Sequence, residues 1–289
     1  MNSPSTSLDH GAAGANRRSV RVLALATDPV VRRNRATWVA GDFERIAAGY
    51  RSGADDFVGR LGITRGECVL DVACGSGNLT LPAARRGAVT VGVDIAPNLL
   101  DIARGRAADE GLAISFDEGN AEALPYDDGA FDTVITMFGA MFAPRPQLAA
   151  AELLRVVRPA GRIAMANWTP ASFVGAMLKA HVAMVPPPAG IPSTLLWGDE
   201  ATARERLAES RSLSLTRRTI YLEFPVSPAD VVQLFRDYYG PTVRTFEALD
   251  DRGRAKLFAD LVSLWSDANE ATDGTTRVAS EYLEVVAER

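Results

Sequence analysis

Residues 69–77 read Val69-Leu70-Asp71-Val72-Ala73-Cys74-Gly75-Ser76-Gly77, and Asn78-Leu79-Thr80-Leu81-Pro82-Ala83-Ala84-Arg85 follows at once. Val69, Leu70 and Val72 supply a short apolar strand of the kind buried in a parallel sheet. The small-residue turn leads straight into a helical run, and Gly75 and Gly77 remove side chains that would keep a ligand off the backbone. The next apolar strand, Val89-Thr90-Val91-Gly92-Val93, ends on Asp94. A carboxylate leaving a second parallel strand is placed to take both hydroxyls of a ribose lying across the first turn.

Two nucleotide-type readings compete for this stretch. The nicotinamide fingerprint uses a third glycine for close helix-to-strand packing, whereas here Gly75-x-Gly77-x-x-Thr80 lacks it. Asp71 also puts an anion where a pyrophosphate binder prefers neutral or basic groups. A carboxylate there suits a cation such as an amino-acid ammonium. The set Asp71-x-Ala73-x-Gly75-x-Gly77 with Asp94 resembles the first motif and the acidic ribose residue of class I S-adenosylmethionine (SAM)-dependent methyltransferases.

Working outward, Pro97 opens a helix over 97–104, and Ala113–Phe116 reads as a third strand. It leads to Glu118-Gly119-Asn120-Ala121-Glu122-Ala123-Leu124-Pro125, which resembles the family's adenine-facing loop, with Asn120 where aspartate is common. Gly129–Gly139 holds the fourth strand. A helix over 147–157 and the turn Arg158-Pro159-Ala160-Gly161-Arg162 precede a fifth, Ile163–Trp168, and this stretch too is similar to a family landmark. Strands alternating with helices imply a doubly wound parallel α/β sheet. Beyond Trp168 the pattern changes. Helices are predicted over 173–185, 200–209, 228–240 and 250–268, and strands over 217–224 and 281–287 that would close a seven-stranded, Rossmann-like methyltransferase sheet.

The expected organisation is a mobile arm over 1–33, cofactor-covering helices over 34–62, a SAM-binding Rossmann-like domain over 63–224 and 275–289, and a helical insertion over 225–274 that acts as a lid on the active site. Ser19–Thr27 within the arm could form a strand or helix on contact. Trp38-x-x-Gly41-Asp42-Phe43 resembles the covering helix of bacterial small-molecule methyltransferases.

Composition bounds the rest. Hydrophobic residues make up 47% and charged residues 23% of 289, as in ordinary soluble globules. A net charge of -5 argues against broad nucleic-acid or anionic-membrane binding. No apolar run is long enough for a membrane span and no secretory core lies near the start, so cytoplasmic residence is expected. Cys68 and Cys74 flank one extended strand and read as buried thiols rather than a disulfide. With only His10 and His181, a histidine-rich metal site is excluded, and no metal is expected.

The resemblance implies SAM as cofactor and a small-molecule methyl acceptor. It places cofactor contacts at Trp38, Asp71, Ala73, Gly75, Ser76 and Gly77, then at Asp94, Ile95, Asn98, Asn120, Ala121 and Glu122, and at Met137 and Phe138. Met141, Phe142, Trp168, His181 and Tyr239 are the acceptor-lining candidates, although His181, alone in apolar company, also suits a structural role. No general base is identified. Residues 68–168 resemble the group called methyltransferase type 11, which includes the ubiquinone and menaquinone biosynthesis C-methyltransferases. Those carry Arg-Asn after the Phe-Gly of the fourth-strand exit, where this chain has Ala140-Met141-Phe142-Ala143-Pro144, so fold and cofactor carry over while the substrate does not. A non-catalytic SAM-binding protein and a macromolecule methyltransferase stay open as alternatives, as does a homodimer.

Overall fold

A computed structural model describes residues 28–289. The expectations for residues 1–27, including Ser19–Thr27, lie outside the described residues. Residues 28–33 do not belong to an arm. Helix α1 spans Pro29–Val39, and its start is fixed by Asp28, whose carboxylate accepts from the Val30 amide at 2.8 Å, with Pro29 at the first helical position. Helix α2 (Phe43–Ala47) runs through a 3-10 turn, Ala48–Tyr50, into α3 (Arg51–Arg60).

The sheet is built from β1 (Cys68–Val72), β2 (Val89–Asp94), β3 (Ser115–Glu118), β4 (Phe131–Met137), β5 (Val157–Trp168), β6 (Ser212–Phe224) and β7 (Thr276–Glu288). Their spatial order is β3-β2-β1-β4-β5-β7-β6, with the first five parallel and β7 antiparallel to both neighbours. This is the doubly wound seven-stranded arrangement expected from the alternation. The crossover helices are α4 (Thr80–Arg85), α5 (Pro97–Asp109) and α6 (Pro146–Val156). Val69, Leu70, Val134, Ile135, Ile163 and Met165 are fully buried, as a central strand covered on both faces requires. Burying one such side chain contributes about 1.5–3 kcal/mol, so these inner strands form the firm part of the platform.

Several boundaries moved. β3 begins two residues later than expected because Gly92 and Val93 pair with Phe116 and Asp117. β5 starts at Val157, which pairs with Phe131. The predicted turn 158–162 lies inside it as a register shift, with Ala160 at φ +61°. The last two strands extend to 13 residues each, because Ser212–Thr216 zip onto Glu284–Glu288. Their polar alternation hides them from a search for apolar runs.

After β5 come α7 (Phe173–Met184) and α8 (Glu200–Arg206), then β6. Between β6 and β7 lie α9 (Pro228–Tyr238), α10 (Gly240–Ala248) and α11 (Asp251–Ala268). Ser227 and Asp250 cap α9 and α11 by accepting backbone N–H bonds. These helices bury Val231, Val232, Phe235, Leu257, Leu261 and Trp265 in the main core. They pack on α1, α2 and α7. No helix among the described residues is long and apolar enough to cross a membrane.

Candidate active site

The carboxyl ends of β1, β2 and β4 form the floor of a cleft with about 860 Å³ of empty space, open to solvent at its mouth. Open α/β sheets bind ligands at this edge, where the strand order reverses between β1 and β4. Asp71, 1% exposed on β1, accepts a 2.5 Å hydrogen bond from Thr80 Oγ1. Burial pushes its pKa up to about 7, with Thr80 opposing the rise and Asp94 adding to it. Asp94 ends β2. Its Oδ2 accepts from the Gly75 amide and its Oδ1 from the Ala96 amide, each at 2.8 Å. Burial raises it to about 6 against the pull of these backbone donors. An ionised carboxylate has about four acceptor sites, so Asp94 can brace the turn and still bind a ligand.

The turn between them is folded tightly. Ala73 and Phe138, at the exits of neighbouring strands, both adopt left-handed backbone, φ +57° and +54°. For non-glycine residues this costs roughly 1–2 kcal/mol each, and such strain concentrates at functional sites. Gly139 makes the arrangement fit, because a Cβ there would stand 2.7 Å from both Ala73 Cβ and the Ala73 carbonyl oxygen. Phe138 is held by Trp168, whose ring stacks on it at 3.5 Å and 7°. Gly77 has a different role from the one expected. It sits at φ +88°, and a Cβ would come 2.5 Å from Leu81 Cδ1 and 3.5 Å from Ala103 Cβ. It lets α4 and α5 close on the turn and does not line the cleft.

Ile95, Asn120 and Ala121 form the far wall. Asn120 Oδ1 accepts from the Glu122 amide at 3.1 Å, which shapes the loop. Ser76 lines the cleft too, and its hydroxyl is bonded to Glu44 of α2, which also pairs with Arg106 and Arg51. The roof is Asn34, Trp38, Phe43, Ala47 and Tyr50. Trp38 meets Phe43, Phe142 and Tyr239 edge-on, with ring centroids 5.7, 5.1 and 6.1 Å away. Arg35 of α1 ties the roof to Glu118 at 2.9 Å, and Arg145 ties its N-terminus through Asp28 at 2.8 Å. Asp71 and Asp94 are the only charged side chains among the described lining residues.

A family model described as a methyltransferase domain matches residues 70–165. Over 264 residues the chain is 39% identical to an uncharacterized protein of Mycobacterium tuberculosis H37Rv, spanning 89% of this chain and 94% of that one. The demethylmenaquinone methyltransferase of Thermus thermophilus is 43% identical over 104 residues, 35% of this chain and 47% of that one. Among solved structures, the YcgJ protein of Bacillus subtilis superposes with a TM-score of 0.54 at 16% identity, over 82% of this chain and 98% of that one. Phosphoethanolamine N-methyltransferase 2 of Haemonchus contortus, solved with S-adenosylhomocysteine, gives 0.52 at 16%, over 82% and 52%. The structural matches speak to fold alone. The chain belongs to the class I SAM-dependent methyltransferases.

In this methyltransferase the fold brings Trp38, Asp71, Ala73, Gly75, Ser76, Asp94, Ile95, Asn120, Ala121, Met137, Phe138 and Phe142 together around one cleft. Seven candidates stand elsewhere. Beside Gly77, Asn98 donates to the Gly41 carbonyl at 3.2 Å and joins α5 to the roof. Glu122 accepts from both the amide and Nε of Arg145 at 2.7 Å, so it serves the start of α6. Met141 is fully buried in the core, and Trp168 lies behind Phe138 rather than in front of it. His181 donates through Nδ1 to the Met177 carbonyl at 2.7 Å and accepts at Nε2 from Thr242 at 2.9 Å, which fastens α7 to α10. Tyr239 packs behind Trp38 and Phe43. No residue of 225–274 lines the cleft, so the insertion reaches it only through the roof. Sequence reasoning missed Asn34, Tyr50 and Asn78 as lining residues. The one signal for Tyr50 in the sequence is its apolar spacing from Ile46 and Ala47, which fits a helix and says nothing of a cleft.

Proposed function

We propose that the cleft binds SAM and that the protein transfers its methyl group to a small-molecule acceptor. The observation that carries this is the pair of buried carboxylates, Asp71 and Asp94, in an aromatic-roofed cleft whose other described lining residues are uncharged. Such a site favours a cationic ligand and opposes a pyrophosphate, which would face two anions without a counter-charge. When bound, SAM supplies an electrophilic methyl on a sulfonium.

Asp94 holds the ribose hydroxyls with its spare lone pairs, and Asp71 offers a negative charge beside the turn for the amino-acid ammonium. Asn120 and the Ala121 backbone face the base. Trp38, Phe43, Phe138 and Phe142 exclude water and tolerate the positive charge through their ring faces. Positioning nucleophile and methyl in line can account for roughly 7–11 kcal/mol of barrier lowering at best. The family names of similar proteins support a small acceptor, since the Thermus relative acts on demethylmenaquinone by its name. Cytoplasmic residence belongs to the same proposal.

The test is turnover. Purified protein with SAM and a metabolite panel should release S-adenosylhomocysteine only when an acceptor of low molecular mass is present. Release that needs added protein or RNA instead would assign a macromolecular substrate, and binding without release under any condition would leave a non-catalytic SAM binder.

A further inference from the structure

Tyr50 is 6% exposed and lines the cleft. Its hydroxyl is not among the buried unpaired polar atoms, so the oxygen reaches the solvent of the cleft while the ring is buried. With no protein partner among the described residues, the O–H is free to donate to whatever displaces water from the cleft. The backbone holds it there firmly. A Cβ on Gly49 would stand 2.5 Å from the Phe224 ring, and one on Gly53 would stand 2.3 Å from Ile220 Cδ1. The 3-10 turn is thereby seated directly on β6. The Tyr50 ring meets Phe138 edge-on at 5.7 Å. Behind the roof, Tyr239 is packed against Trp38, Phe43 and Phe235.

Burial first, then the neighbouring Tyr239 and Glu44, raise the Tyr50 phenol above its ordinary value. It therefore stays protonated at neutral pH, where it donates a hydrogen bond and cannot act as a base. The nearby side chains lining the cleft are Trp38, Phe43, Ala47, Phe138 and Phe142, which offer flat apolar surface and no cation. An anionic acceptor would enter without a counter-charge and near two carboxylates, at a desolvation cost.

We propose that the Tyr50 hydroxyl is a specificity-determining donor, which recognises an oxygen of an uncharged, ring-sized methyl acceptor. This rests on the cleft being the SAM site. A site that hydrogen-bonds an oxygen rejects the analogue that cannot accept that bond, because the ligand displaces the water from the donor and leaves it unpaired.

The experiment uses the full chain saturated with S-adenosylhomocysteine and two planar probes of one frame, acetophenone and benzoate, with ligand-observed NMR as the readout. Acetophenone should bind at least roughly tenfold tighter than benzoate. Tyr50→Phe should weaken acetophenone binding by roughly tenfold, equivalent to about 1.4 kcal/mol. The same variant should keep its melting temperature and its S-adenosylhomocysteine affinity, because the hydroxyl has no described protein partner to lose. Equal binding of benzoate, or acetophenone affinity unchanged in Tyr50→Phe, would overturn the proposal. Loss of S-adenosylhomocysteine affinity in Tyr50→Phe would move Tyr50 to the cofactor and overturn it as well. Failure of the unmodified protein to bind S-adenosylhomocysteine would remove the SAM site itself and the proposal with it, a result read before either probe is added.

Discussion

Gly41 and Gly240 cross backbone to backbone. A Cβ on Gly41 would stand 2.0 Å from the Tyr238 carbonyl oxygen and 3.2 Å from the Gly240 amide nitrogen, and one on Gly240 would stand 2.1 Å from the Thr37 carbonyl oxygen. The loop after α1 and the junction of α9 with α10 thus meet with no side chain between them. This crossing is where the insertion holds the cleft roof. Arg244 adds a second tie by donating to the Ala36 carbonyl at 2.8 Å.

Either Gly41→Ala or Gly240→Ala should therefore overpack a backbone contact that cannot yield by rotating a side chain. The expected loss is about 1–3 kcal/mol, read as a lower denaturant midpoint, together with weaker S-adenosylhomocysteine binding as Trp38 and Phe43 shift. A midpoint unchanged in both variants would mean the roof is not carried by this crossing.

Gly77 should behave as a packing residue. Gly77→Ala places a Cβ at φ +88° and 2.5 Å from Leu81 Cδ1, and the left-handed backbone alone costs about 1–2 kcal/mol. Thermal unfolding should fall clearly, while the folded fraction binds S-adenosylhomocysteine within roughly threefold of the original, about 0.7 kcal/mol. A stable variant that has lost binding would return Gly77 to the ligand surface.

The pattern of what was legible follows from what leaves a local mark. Asp71, Gly75 and Asp94 sit at strand ends, so apolar runs and punctuation located them. The start of α1 has a local mark too, Asp28 followed by Pro29, but it lies within the stretch 1–33 that was expected to be an arm. His181 and Glu122 could not be assigned from sequence because their partners, Thr242 and Arg145, lie 61 and 23 residues away. Tyr50 has the same difficulty, since nothing near it in sequence shows that its ring faces a cleft floor set by Phe138. The insertion could be recognised as helices between two strands. Its bearing on the roof depends on two glycines 199 positions apart by their numbers.

The ligand affinity should depend on pH through the floor carboxylates. Asp71 and Asp94, with pKa values of about 7 and about 6, must be ionised to attract a cationic ligand. SAM affinity should fall as pH drops from 7.5 to 5.5, and titration calorimetry at several pH values would show it. Affinity that is flat across this range would separate the carboxylates from binding.

His181 acts on stability with a definite sign. Burial depresses its folded-state pKa below the ordinary 6.5, so the unfolded chain binds its proton first on acidification. Its contribution is present above about pH 6.5 and is lost as pH falls toward the folded value. Asp71 and Asp94 work oppositely: their raised folded values add stability as pH falls from about 7 toward 4. The difference between the unmodified protein and His181→Gln isolates the histidine. That difference should shrink from pH 7.5 to pH 5.5, and a constant difference would show that His181 does not titrate against folding.

Titration calorimetry of SAM into the unmodified protein and into Asp94→Asn tests the cofactor assignment most directly. The amide side chain would keep the shape but leave one acceptor oxygen where the carboxylate serves the Gly75 and Ala96 amides and the ribose. Charge-assisted hydrogen bonds are worth about 1.5–3 kcal/mol each, so SAM affinity should fall roughly 10- to 100-fold while circular dichroism stays native. Nicotinamide dinucleotide should give no heat with either protein. Full SAM affinity in a folded Asp94→Asn variant, or dinucleotide binding in place of SAM, would contradict the assignment.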